Sequence, residues 1–157
     1  MTVEILLETF QKTKSISDEM VLAICSDEQT RKDLVGYFKQ NQNRPFVLAL
    51  LNRFIELRKS PEGEVYIEDL MLVCLLLGMH RQIEDCLKIW EAKDTDFDTY
   101  CGVDIQLVPF MGVEQTIEYL NTQRSKEAED ALKYVRGCEK AGDFKELEEY
   151  YNTPWFL

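Results

Sequence analysis

Eight consecutive apolar residues, Leu70 to Leu77, form the longest fully apolar run in the chain and constrain its fold more than any other feature. The run is far shorter than the ~20 residues a membrane span needs. Gly78 stops it, and Ser60-Pro61-Glu62-Gly63 ahead of it reads as a turn. A helix over about Ile67 to Leu77 is apolar on nearly every side, and such a helix belongs at the centre of a fold. A chain of 157 residues is long enough to build one core around it.

Elsewhere the apolar spacing is that of amphipathic helices, and no stretch of six or more residues alternates cleanly with period two. Val3, Leu6, Leu7 and Phe10 mark a first helix, Met20, Val21 and Ile24 a second capped by Ser17 or Asp18, and Leu34, Val35 and Phe38 a third capped by Asp27. Pro45 suits the first turn of a fourth helix carrying Phe46, Leu50, Phe54 and Leu57. After the central helix, Ile83, Cys86, Leu87 and Trp90 form another inner face. Asp98 can cap a helix with Val103, Leu107 and Phe110 that Pro109 should end or bend. Val113, Ile117 and Leu120, then Ala128, Leu132, Val135 and Cys138, then Phe144, Leu147, Tyr150 and Tyr151 mark three more.

The expectation is an all-α protein of one domain, residues 1–157, since no glycine- or serine-rich linker divides it. Gly78, Gly112 and Gly142 each follow an apolar residue and precede, five positions on, Ile83, Ile117 or Leu147, with Glu84, Glu118 or Glu148 next. That near-period suits a short α-solenoid-like stack of antiparallel helix pairs with left-handed glycine caps. An irregular helical bundle is the alternative.

The chemistry-bearing residues are sparse. His80 is the single histidine and sits at a turn, where a surface or capping role is expected rather than catalysis. Cys101 lacks the flanking signature of a cysteine protease. Asp94, Asp96 and Asp98 alternate like the start of a calcium loop, but the sixth position is Thr99 rather than Gly and the twelfth is Ile105 rather than Glu. No zinc-ligand cluster, GxGxxG, phosphate-binding loop or GxSxG occurs. We therefore expect no enzyme, no cofactor and no metal. The five cysteines, Cys25, Cys74, Cys86, Cys101 and Cys138, include no CxxC, and they read as free thiols of a cytoplasmic protein. The N-terminal stretch, interrupted by Glu4 and Glu8, does not read as a signal peptide.

Charge is the remaining signal. The net charge is −11, which disfavours nucleic acid and anionic membranes as partners and favours a basic protein. Residues 94–123 contain no Lys or Arg but carry Asp94, Asp96, Asp98, Asp104, Glu114 and Glu118. Phe97, Tyr100 and Tyr119 are interleaved among them. The segment reads either as a solvated acidic face or as an anionic docking surface with aromatic anchors. The candidate partner-binding residues are Asp94, Asp96, Asp98, Tyr100, Asp104, Glu114 and Glu118, joined by Glu148 and Glu149 of the acidic C-terminal helix.

Residues 89–120 carry Ala92-Lys93, Phe97-Asp98-Thr99, Cys101-Gly102-Val103-Asp104 and Gly112-Val113-Glu114. This fifth of the chain resembles a segment of small acidic helical immunity proteins of bacterial polymorphic toxin systems. The resemblance implies a non-catalytic antagonist that binds and occludes a cognate toxin domain; it matches no functional residue position by position. The alternative is a helical-repeat adaptor or regulatory scaffold that binds a partner peptide or helix.

Overall fold

The computed structural model describes residues 1–61, 63 and 65–157. Its described residues form α1 (Val3–Thr13), α2 (Asp18–Ser26), α3 (Glu28–Phe38), α4 (Arg44–Lys59), α5 (Ile67–Gly78), α6 (Asp85–Lys93), α7 (Phe97–Gly102), α8 (Val113–Thr122), α9 (Lys126–Ala141) and α10 (Leu147–Asn152). A 3-10 turn, Ile105–Leu107, joins α7 to α8, and no strand occurs among the described residues. The protein is all-α. No helix of the described residues is long and apolar enough to cross a membrane.

Local sequence explains most boundaries. Ser17 caps α2 by accepting from Met20 N–H (3.3 Å), and Asp27 caps α3 by accepting from Gln29 N–H (3.1 Å). Asn43 caps α4 just ahead of Pro45, which occupies the first turn where its missing N–H is not needed. Of the expected turn at residues 60–63, Glu62 lies outside the described residues; Gly63 N–H donates to the Ser60 carbonyl (3.1 Å).

Helix α5 is the hub. Every residue from Asp69 to Gly78 is buried, and the helix packs against α3, α4, α6, α7 and the 3-10 turn. Helices α8 and α9 pair with each other, and α9 joins the core through α6. Burying α5 on all sides also buries the polar residue in its first turn, Asp69. Its carboxylate pairs with Arg31 of α3, whose guanidinium also donates to the Phe156 carbonyl (2.8 Å), so the C-terminal residues are fastened to the core.

Three expectations are corrected. Of the repeat's glycines only Gly142 is a left-handed helix cap (φ 84°). Gly112 (φ 112°) precedes α8 as its N-cap, and Gly78 ends α5 without a positive φ. What Gly78 provides is close approach, because a Cβ there would meet the Phe110 ring at 2.3 Å. The α7 cap is Asp96 rather than Asp98: Asp96 accepts from Thr99 N–H (2.9 Å) and Thr99 Oγ1 accepts from Asp96 N–H (2.9 Å). Helix α7 then stops at Gly102, because Val103 is extended (ψ 124°), and Leu107 lies in the 3-10 turn.

Of the surface and capping roles expected for His80 it takes the capping one, and it is buried. Its Nε2 accepts from Asn43 N–H (3.0 Å) and its Nδ1–H donates to the Leu76 carbonyl (2.9 Å), tying the start of α4 to the end of α5. All five cysteines are free; Cys74 and Cys86 are buried, and burial pushes each thiol up to about 12. Cys101 is exposed.

Candidate functional site

The junction of α6 and α7 is built around two cations, Lys93 and Arg58. Lys93, the last residue of α6, is only 2% exposed. Its ammonium donates to the Tyr100 carbonyl (2.6 Å) and the Val103 carbonyl (2.7 Å), which sit at the C-terminal end of α7. It also lies 5.4 Å from the Tyr100 ring centroid and 5.0 Å from that of Tyr134. Burial holds its pKa below the ordinary lysine value, with Asp104 among the groups that act against the shift. Lys93 thus satisfies carbonyls that a six-residue helix leaves open.

Arg58 of α4 is the second cation. Its Nε donates to Asp96 (2.7 Å), Nη2 reaches Asp98 (3.4 Å) and Nη1 donates to the Val65 carbonyl (3.1 Å). The hydrogen bonds from Arg58 hold the Asp96 carboxyl below the usual carboxylate range.

These contacts sort the candidate residues. Asp96 is committed to Arg58 and to capping α7, so it is structural. Asp104 is also engaged: its Oδ2 accepts from Tyr150 Oη (2.8 Å) and Trp155 Nε1 (2.8 Å), fixing the C-terminal segment. Asp94 is exposed, and its carboxylate makes no ion pair or hydrogen bond among the described residues. Asp98 is exposed beyond Arg58. Tyr100 is 38% exposed and packs edge-on against Tyr134, with centroids 5.4 Å apart. Glu114 and Glu118 are exposed on α8, and Glu148 and Glu149 on α10. None of these four lines the clefts that flank α6 and α7.

Two large side chains on this face are left to solvent. Phe97, in the first turn of α7, is 80% exposed, and Tyr66, just before α5, is 67% exposed. Tyr66 and Asp98 share a groove of about 440 Å³ with Ile67 and Glu68, and Phe97 adjoins Asp98 in the chain. The groove therefore combines an exposed aromatic ring with the carboxylates of Glu68 and Asp98, while Asp94 lines the neighbouring clefts beside Trp90. Comparison with known proteins gives no significant match to a protein family, a curated sequence or a solved structure.

Aromatic spacing in the sequence identified Phe97 and Tyr100 but not Tyr66, which stands outside the acidic run. Arg58, Lys93 and Tyr134 also escaped it, because each reaches this face by tertiary packing. Both nitrogens of His80 are bonded to backbone groups, of Asn43 ahead of α4 and of Leu76 in α5. Among the described residues no group of three or more His, Cys, Asp or Glu is placed to hold a metal ion. The arrangement is suited to holding a complementary surface by apolar contact and charge.

Proposed function

We propose that this chain is a non-catalytic binding protein that docks a basic protein through the α6–α7 face. In its most concrete form it is a cytoplasmic immunity protein that occludes the nucleic-acid- or nucleotide-gripping surface of a cognate bacterial toxin. The observation that supports this reading is Phe97, 80% exposed in the first turn of α7, with the exposed carboxylates of Asp94 and Asp98 close to it in a segment that contains no Lys or Arg. Interface anchors are enriched in aromatic side chains ringed by polar groups, and burying one such ring gains more than any rim charge. The carboxylates would steer a cationic partner and raise its capture rate.

The test is genetic and functional. The product of the gene immediately upstream in the native genome is expressed alone and together with this chain. The reading expects growth arrest alone and relief in co-expression. It also expects loss of relief with Phe97→Ser combined with Asp98→Asn, the variant protein still being folded by circular dichroism. Absence of arrest, absence of relief, or relief that survives the folded double variant overturns it.

A further inference from the structure

Helix α7 carries the exposed ring of Phe97 but has almost no buried face of its own. Of its six residues only Thr99 is buried. Phe97 is 80% exposed and Tyr100 38%, and Asp98 and Cys101 are exposed as well. A helix this short falls well below the ~12–15 residues at which an isolated helix becomes even marginal. Its place on the molecule therefore depends on what fastens its two ends.

The N-terminal end is fastened by Arg58 of α4, which donates to the Asp96 cap (2.7 Å). At the C-terminal end Gly102 comes close to α5, since a Cβ there would meet Ile67 Cδ1 at 2.5 Å. The polar fastening at this end is Lys93. Its ammonium donates to the Tyr100 and Val103 carbonyls (2.6 and 2.7 Å) and lies 5.0 Å from the Tyr134 ring centroid, so one buried cation joins α6, α7 and α9.

A buried ammonium is a poor source of overall stability, because desolvation offsets what its contacts gain. What two short charge-assisted hydrogen bonds supply is direction. Without them both carbonyls turn to water for a donor, and the last turn of α7 loosens with them. Units with few buried contacts open on their own while the core stays folded. Helix α5, buried from Asp69 to Gly78, is that core.

We propose that α7 opens as a separate unit and that Lys93 is the positioning residue that shuts it, holding Phe97 where the basic partner meets it. This rests on the docking reading above and names what sets the position of the docking ring. If the partner meets only the shut form, bound partner suppresses the opening of α7, and the two effects are linked reciprocally.

Amide hydrogen exchange on the full chain tests it. The Tyr100 amide donates to the Asp96 carbonyl and the Val103 amide to the Thr99 carbonyl (2.9 Å each), so both report on α7. In the unmodified chain they are expected to exchange through a local opening that low urea does not change, while α5 amides respond to urea. Lys93→Met keeps the stem and removes the donors; it should raise the opening of α7 at least about tenfold and leave α5 unchanged. Lys93→Gln, which keeps an N–H donor without the charge, should fall between, and it carries the test if the methionine variant does not fold. Adding the upstream gene product at about 100 times its Kd should suppress the opening of α7 about a hundredfold.

Exchange of the two amides only through global unfolding, unchanged protection of α7 in the folded variants, or an equal loss in α5 and α7 overturns the proposal. So does a bound partner that leaves α7 opening as often as in the free chain. Failure of the docking reading shows instead in the co-expression test, which uses the unmodified chain, and the exchange of the free chain and its variants involves no partner.

Discussion

His80 shows how much of a single residue's role its place in the sequence leaves open. A lone histidine two residues after a helix-ending glycine reads as a surface or capping residue; it caps from the interior, its ring packed against Phe38 with centroids 5.3 Å apart and both nitrogens bonded. Burial lowers its pKa below 6.5; Asp85 acts against that shift, while Arg44, paired to Asp85, adds to it. The unfolded chain therefore takes up a proton near 6.5 while the folded protein still does not. The contribution of His80 is fully present above that value and is lost as pH falls toward the folded pKa. His80→Phe is expected to cost about 1–3 kcal/mol near neutral pH, because it strands Asn43 N–H and the Leu76 carbonyl. It should also flatten the decline in stability between about pH 7 and pH 5. Chemical denaturation across that range checks both; an unchanged slope would show that His80 titrates alike in both states. Lys93 was hidden for the same reason. A charged residue ending an amphipathic helix reads as solvated, and only the fold of α7 back over it supplies the two carbonyls that receive it.

At the scale of elements, the sequence is most informative where one physical signal dominates. The apolar run placed α5 to within a residue and identified it as the centre, since no polar face competes with burial. Ser17, Asp27 and Pro45 marked helix starts because capping is local. The signal fails between Asp94 and Gly112. Two carboxylates, Asp96 and Asp98, both suit a cap, and the choice depends on Thr99 and on Arg58, which lies 38 residues before Asp96. Apolar spacing through Leu107 suggests a helix, but the extended Val103 breaks it. The expectation of three left-handed glycine caps held only at Gly142, because glycine serves different ends: close approach at Gly78, an N-cap at Gly112 and a left-handed cap at Gly142. The α5 assignment carries a quantitative expectation. Leu72 is fully buried, so Leu72→Ala removes packing on a helix that no face can relax toward solvent. A loss of ~2–5 kcal/mol is expected. Urea unfolding measures it, and a change below about 0.5 kcal/mol would place Leu72 outside the core.

Over the whole molecule, the acidic run divides into charges that hold the protein together and charges that face outward. No sequence window could make that division, because Arg58 and the C-terminal residues reach the run only through tertiary structure. Asp96 and Asp104 are internal partners, and neutralising either would confuse binding with stability, since loss of a cap alone costs ~1 kcal/mol. Asp98 and Glu68 are exposed in the groove that also holds Tyr66, and Asp94, exposed as well, lines the clefts beside Trp90. Each exposed charge contributes only ~0–1 kcal/mol to a docked pair, so single substitutions are uninformative. Their combined field acts on encounter, before contacts form. Replacing Asp94 and Asp98 with Asn and Glu68 with Gln should leave the melting temperature nearly unchanged. Association with the upstream gene product should slow about tenfold at low salt, and its salt dependence should flatten. Dissociation should change far less, because the apolar anchors are intact. Stopped-flow mixing at two ionic strengths separates the two rates. If the folded triple variant associates as fast as the original at both, these carboxylates are a solvated face, and a partner that still binds is meeting the protein somewhere else.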